Sequence, residues 1–228
     1  MNRPWILKVP LAIGILFFLI PKHSIQAQEG MSAMQNFVSG RALENQNRLG
    51  DSLPYYAEAV RISLDEINRN VADPDTFTAL TWALNRQRRY AEVIYWGEEG
   101  LRRFPGEFRV IQTMGEAYFY LNELDRSLQF MQRYTNLVPQ GGRVSVAYFF
   151  MGEIYRYRRL FHHADMAYTT AVHLEPANAL WWFRLGSVRE AMGEYSQAAE
   201  AYEQALGLSP QYNEAANGLL RSRNQLTL

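Results

Sequence analysis

Along this chain apolar residues return at helical spacing, in paired stretches separated by short polar turns. Tyr148, Met151 and Tyr155 stand at i, i+3 and i+7, a spacing that lines one face of a helix. Trp182 and Leu185 repeat the first step of that pattern. Such stretches end in turns, as at Asn122-Glu123 and Gly193-Glu194, and an aromatic (Tyr90, Phe161 or Tyr195) then opens a second buried stripe. A proline near the end of the second stretch cannot continue it. The pattern predicts an all-α fold of antiparallel helix hairpins.

The hairpins recur with a fixed period. Pro105, Pro139, Pro176 and Pro210 are separated by 34, 37 and 34 residues, and Gly115, Gly152 and Gly186 by 37 and 34. Both series share the longer step, so one insertion of three residues around Gly142-Arg143-Val144 accounts for both. The last unit reads Trp182-x2-Leu185-Gly186, then Ala198-x3-Tyr202, then Pro210. The unit before it reads Tyr148-x2-Met151-Gly152-x2-Tyr155, then Ala164-x3-Tyr168-x2-Ala171, then Pro176. Met114-Gly115-x2-Tyr118 with Ser127-x3-Met131 and Pro139 continues the series, and Phe77-x2-Leu80, Leu84, Val93 and Pro105 form a weaker unit. These residues resemble the tetratricopeptide repeat (TPR). The resemblance puts four units at 74–107, 108–141, 145–178 and 179–212, and implies a right-handed superhelical stack of hairpins, a TPR solenoid. Gly and Ala lack bulk at the eighth and twentieth positions, where the two helices of a hairpin must approach closely. Arg189 stands where the family prefers a large aromatic, which predicts partial solvation there. Gly97 and Gly100 sit in a helix at a cost of up to about 1 kcal/mol each relative to Ala, with Trp96 as a space-filling neighbour.

Residues 28–73 read as helical but irregular. Tyr56, Ala59 and Ile62 fall in step with Tyr195, Ala198 and Ala201, as though 54–71 were the second helix of a decayed unit. Its partner would lie in 31–48, burying Met34, Phe37, Val38 and Leu43, with Gly50 to Pro54 as the turn. At the other end 213–228 predict a capping helix, because a stack leaves its last apolar face open. Ala216, Leu219 and Leu220 are its expected inner residues, and Arg221 and Arg223 its outer ones.

Composition adds a compartment. The 228 residues are 48% hydrophobic and 14% aromatic, outside the range of disordered chains. Residues 1–27 hold Arg3, Lys8 and Lys22 and no acid, then a ten-residue apolar run from Leu11 to Ile20, Pro21, and Ala27 as a cleavage position. That arrangement predicts a signal peptide and an exported, periplasmic or secreted protein. The alternative is an uncleaved membrane anchor over residues 6–20, although a bilayer needs about 20 apolar residues. No cysteine occurs, which excludes disulfides and thiolate metal sites. Beyond the leader the chain carries 20 basic and 23 acidic residues, every basic one arginine. A mildly acidic body has no footprint for nucleic acid.

No catalytic motif is present: no G-x-S-x-G, no H-E-x-x-H, no phosphate-binding glycine loop. His162 and His163 are adjacent in a turn and point in different directions, so they read as solvated rather than metal-binding. The expectation is a non-catalytic protein with no cofactor and no metal. The resemblance implies that the first helices line a concave surface. Carried onto this chain, the positions facing it include Trp82 and Asn85; Gln112, Glu116 and Phe119; Phe149, Glu153 and Arg156; and Phe183 and Ser187. One large aromatic per unit among polar partners is the composition of a protein or peptide contact surface. An alternative is that the aromatics enclose an apolar or glycan ligand for an envelope or transport system. The family's clamp for a peptide's terminal carboxylate is not supported, because Thr78, Gln112, Phe149 and Phe183 stand at its positions.

Overall fold

The computed structural model describes residues 30–227; the predicted leader and anchor segment lie outside them. Among the described residues there are eleven helices and no strand. In chain order they are α1 (Ala33–Asn45), α2 (Leu49–Asn68), α3 (Pro74–Arg86), α4 (Tyr90–Arg103), α5 (Phe108–Tyr120) and α6 (Leu124–Leu137). Then come α7 (Val144–Tyr157), α8 (Phe161–Leu174), α9 (Ala179–Ala191), α10 (Tyr195–Leu208) and α11 (Asn213–Leu226). None is long and apolar enough to cross a membrane. They form five antiparallel hairpins, α1/α2 to α9/α10, with α11 packed on α10.

Local chemistry starts and stops these helices. Ser32 and Asp73 each close a capping box, with Gln35 and Thr76, and Pro74 follows Asp73 where its missing N–H costs nothing. Every hairpin turn holds a left-handed residue at the same place: Asn47, Arg88, Asn122, Arg159 and Gly193, with φ of 59°, 58°, 61°, 58° and 80°. The next N–H returns to a carbonyl five residues back, as from Arg89 to Leu84 and from Glu194 to Arg189. These bonds satisfy carbonyls that the helix end would otherwise leave open.

The first hairpin is a repeat in full register, offset by seven residues from the alignment expected of it. Asn47 supplies its left-handed turn, and α2 begins at Leu49, so the expected turn at 50–54 is helical and Pro54 lies inside the helix. Tyr56 therefore matches Tyr202 rather than Tyr195. It faces Gly40 as Tyr168 faces Gly152 and Tyr202 faces Gly186: a Cβ at these glycines would lie 2.8, 2.6 and 2.8 Å from the ring. All three rings are fully buried. The same shift turns Val38 outward, where it is exposed, while Phe37 is buried.

Two other expectations change. Gly97 and Gly100 are not mere weak points, for α4 carries close approaches on two sides: an added Cβ at Gly100 would meet Phe77 of its own hairpin at 2.9 Å, and one at Gly97 would meet Met114 of α5 at 2.5 Å. In α11 the buried residues are Ala215, Gly218 and Ser222, and Ala216 and Leu220 are exposed. The cap is rotated by about one residue because Gly218 must lie against the Tyr202 ring. Arg189 stays partly exposed, as expected, and pairs with Asp165 of α8 at 2.8 Å.

Candidate functional site

Successive first helices touch one another, α1 with α3, α3 with α5, α5 with α7 and α9 with α11, and α7 meets α9 through Phe149 on Trp181 and Glu153 on Arg184, whereas no comparable contact joins successive second helices. The first helices therefore lie on the inside of the curve, and their free faces form one continuous inner surface. Its polar residues are engaged with each other. Glu116 is buried and accepts hydrogen bonds from Asn85 Nδ2 at 2.8 Å, from Gln112 Nε2 and from Arg143. Arg143 Nε also donates to Gln112 Oε1 at 3.0 Å. Arg143 belongs to the inserted residues, so the insertion returns a guanidinium to the inner face. Sequence spacing locates the insertion but holds no signal for where its side chain goes.

The aromatics form the other part. Phe149 stacks on Trp181, with ring centres 5.2 Å apart and planes 15° from parallel. Phe119 meets Phe150 edge-on at 5.0 Å, and Phe183 packs on Tyr212 at 5.0 Å. Trp82 lies 5.0 Å from Phe37, which occupies in α1 the place that Phe149 and Phe183 hold in α7 and α9. The offset register of the first hairpin hides Phe37 as an inner-face residue; the sixteen-residue step from Gly40 to Tyr56, shared with Gly152 to Tyr168, is the signal that finds it. Trp82, Phe119, Phe149 and Phe183 are all half-buried, and Ser187 is half-buried beside Tyr202. Tyr120 and Tyr157, at the rim, are 53% and 60% exposed, so the surface offers rings to solvent at its edge.

Three junctions between repeats carry the same trio: a first-helix glutamate, the buried tyrosine of its own hairpin, and an arginine from the next first helix or cap. Tyr56 donates to Glu44 at 2.6 Å, and Arg86 forks onto the same carboxylate. Tyr168 donates to Glu153, which Arg156 and Arg184 approach at 2.8 and 3.0 Å. Tyr202 donates to Glu190 at 2.7 Å, and Arg221 forks onto it at 2.6 and 2.8 Å. Burial and the neighbouring Glu44 push the Tyr56 hydroxyl up to about 12, and burial likewise raises Tyr168 and Tyr202. The Arg221 fork, outweighing burial, holds Glu190 below the usual carboxylate range. The forks answer the all-arginine composition, since a lysine cannot pair with both carboxylate oxygens in a plane. Glu153 and Arg156, both expected on the inner face, are thus partners of each other and of α8 and α9.

Among the described residues no group of three or more His, Asp or Glu could hold a metal ion. His162 and His163 are exposed at the start of α8. Between α1, α3 and α5 the inner face opens into a cleft of about 80 Å3, lined by Phe37, Arg41, Trp82, Asn85, Arg86, Gln112, Thr113, Glu116 and Arg143. It unites Trp82, Asn85, Gln112 and Glu116, while Phe149, Glu153, Arg156, Phe183 and Ser187 lie further along the stack.

Residues 179–212 match the family model described as tetratricopeptide repeat. The chain is 23% identical over 172 residues to the protein O-mannosyl-transferase TMTC1 of Homo sapiens, a match covering 75% of this chain and 19% of that protein. It thus spans about a fifth of that relative's length. A thermophilic TPR protein from Thermus thermophilus superposes with a TM-score of 0.61 at 17% identity, over 86% of this chain and all of that one. The MamA protein superposes with a TM-score of 0.61 at 18% identity, over 68% of this chain and 83% of MamA. At such identities the likeness is one of fold.

Proposed function

Because this chain is a tetratricopeptide-repeat protein, we propose that it is a non-catalytic exported adaptor whose inner face holds a protein or peptide partner. A stack of this kind is a scaffold for protein–protein interaction. The observation that carries the finer reading is the inner face itself. Every repeat contributes a half-buried or buried ring to it, from Phe37 through Trp82, Phe119 and Phe149 to Phe183. Rings held by their neighbours present area without losing side-chain freedom on binding, which is how a few residues come to dominate a contact. On the inner face the cleft of about 80 Å3 is small beside the ~300–1,000 Å3 of a site enclosing a drug-sized ligand, which favours an inserted side chain at that place. Export rests on the leader, with cleavage after Ala27.

The test is crosslinking in intact cells with the full chain, followed by identification of what is captured. Phe149→Ala and Phe183→Ala should each reduce capture several-fold at unchanged helix content. Met166→Ala, on the exposed side of α8, should leave it intact. Undiminished capture by both phenylalanine variants refutes the inner-face assignment. N-terminal sequencing of the mature protein should begin at Gln28.

A further inference from the structure

We propose that the cleft between α1, α3 and α5 receives one acidic residue from within an extended peptide, its carboxylate on Arg41 and its main-chain N–H on Asn85 Oδ1. This rests on the inner face being the binding face. The cleft of about 80 Å3 has room for a single side chain. Phe37 and Trp82, 5.0 Å apart, give it an aromatic wall for the methylenes of that side chain.

Hydrogen-bonding capacity decides what enters. Both oxygens of Glu116 are engaged by this chain, since one takes Gln112 and Arg143 and the other takes Asn85. Arg86 is committed to Glu44, and Arg143 to Gln112 and Glu116. Two groups remain. Asn85 Nδ2 must face the Glu116 carboxylate, so the orientation of the amide is determined, and its Oδ1 is left buried without a donor. Arg41 lines the same cleft, is exposed, and among the described residues has no carboxylate at ion-pair distance. With Arg86 paired to Glu44 and Arg143 to Glu116, Arg41 leaves the cleft with one excess positive charge. An acceptor lacking an N–H and a guanidinium with no ion pair of its own, lining one cleft near Glu44, are the complement of an acidic residue presented with its own amide. A terminal carboxylate is not required, because Asn85 calls for a donor.

The experiment selects the full chain against a displayed library of random dodecapeptides, then measures the enriched sequences as N-acetylated, C-amidated, fluorescein-labelled peptides by polarisation. Glu or Asp should be enriched at one position, and replacing it by Gln should weaken binding about tenfold, the scale of one charge-assisted contact. Arg41→Gln should lose the same factor toward the acidic peptide and nothing toward its Gln version. An ester in place of that residue's amide N–H should weaken binding about threefold. Peptides that bind, and are lost with Phe183→Ala, but show no acidic position or ignore Arg41→Gln, overturn this inference and leave the inner-face reading standing. A library yielding no binders, or binders indifferent to Phe183→Ala, overturns both.

Discussion

Removing Glu153 should uncouple the last two hairpins. Its carboxylate, 7% exposed, takes the hydroxyl of the fully buried Tyr168 and lies at 2.8 and 3.0 Å from Arg156 and Arg184, so it joins α7, α8 and α9 at one point. Glu153→Ala leaves the tyrosine hydroxyl without an acceptor in the interior and two guanidinium groups without a counter-charge. Breaking a buried charged pair by deleting one partner costs about 3–5 kcal/mol. The arginine side chains keep 26% and 31% of their exposure, so water offsets part of this and the lower end, about 3 kcal/mol, applies. For a chain of this size that lowers the melting temperature by roughly 6–12 °C. Glu153→Gln keeps an acceptor for Tyr168 and loses only the charge, so its loss should be clearly smaller. Tyr168→Phe removes one hydrogen bond to a charged group and should cost about 1.5–3 kcal/mol. Because each repeat contacts only its neighbours, the alanine variant should also unfold in two phases, the last hairpin with its cap first. Urea titrations followed by circular dichroism read both effects. A loss below about 1 kcal/mol with one unchanged transition would refute the trio as a junction between repeats.

The glycines opposite the tyrosines give a second test. Gly186→Ala pushes a Cβ to 2.8 Å from the Tyr202 ring and should destabilise by about 1–3 kcal/mol. Gly207→Ala, with nothing within 4 Å, should be neutral or stabilise by up to about 1 kcal/mol, and urea midpoints separate the two. Acid should act through Glu190, whose folded pKa lies below its ordinary 4.5. Its contribution is complete above that value and is lost as pH falls from there through the folded value, so Glu190→Gln should flatten the stability profile in that window. Base acts through Tyr56: its contribution is complete below about 10 and lost as pH rises toward about 12, a loss that Tyr56→Phe should abolish.

Periodicity alone carries the helix pairs, their order and the insertion, because a fixed step of glycine, aromatic and proline records which positions meet at a close approach. It misleads where that step is taken from aromatics alone. Tyr56 resembles Tyr195 as a letter, but only packing against Gly40 tells which turn of the helix faces inward. The inner-face candidates are likewise visible as residue types at fixed positions, and their partners are not. Glu153 and Tyr168 are fifteen residues apart, Glu116 and Arg143 twenty-seven, and Glu190 and Arg221 thirty-one. Such pairs arise only when hairpins stack, since a carboxylate's partners are chosen by distance across the junction and not by neighbours in the chain. The sequence by itself determined an all-α stack of hairpins and the aromatic character of one face. Tertiary structure decided which polar groups on that face are already paired across the stack, as Glu116 is, and which, like Asn85 Oδ1, find no donor within it.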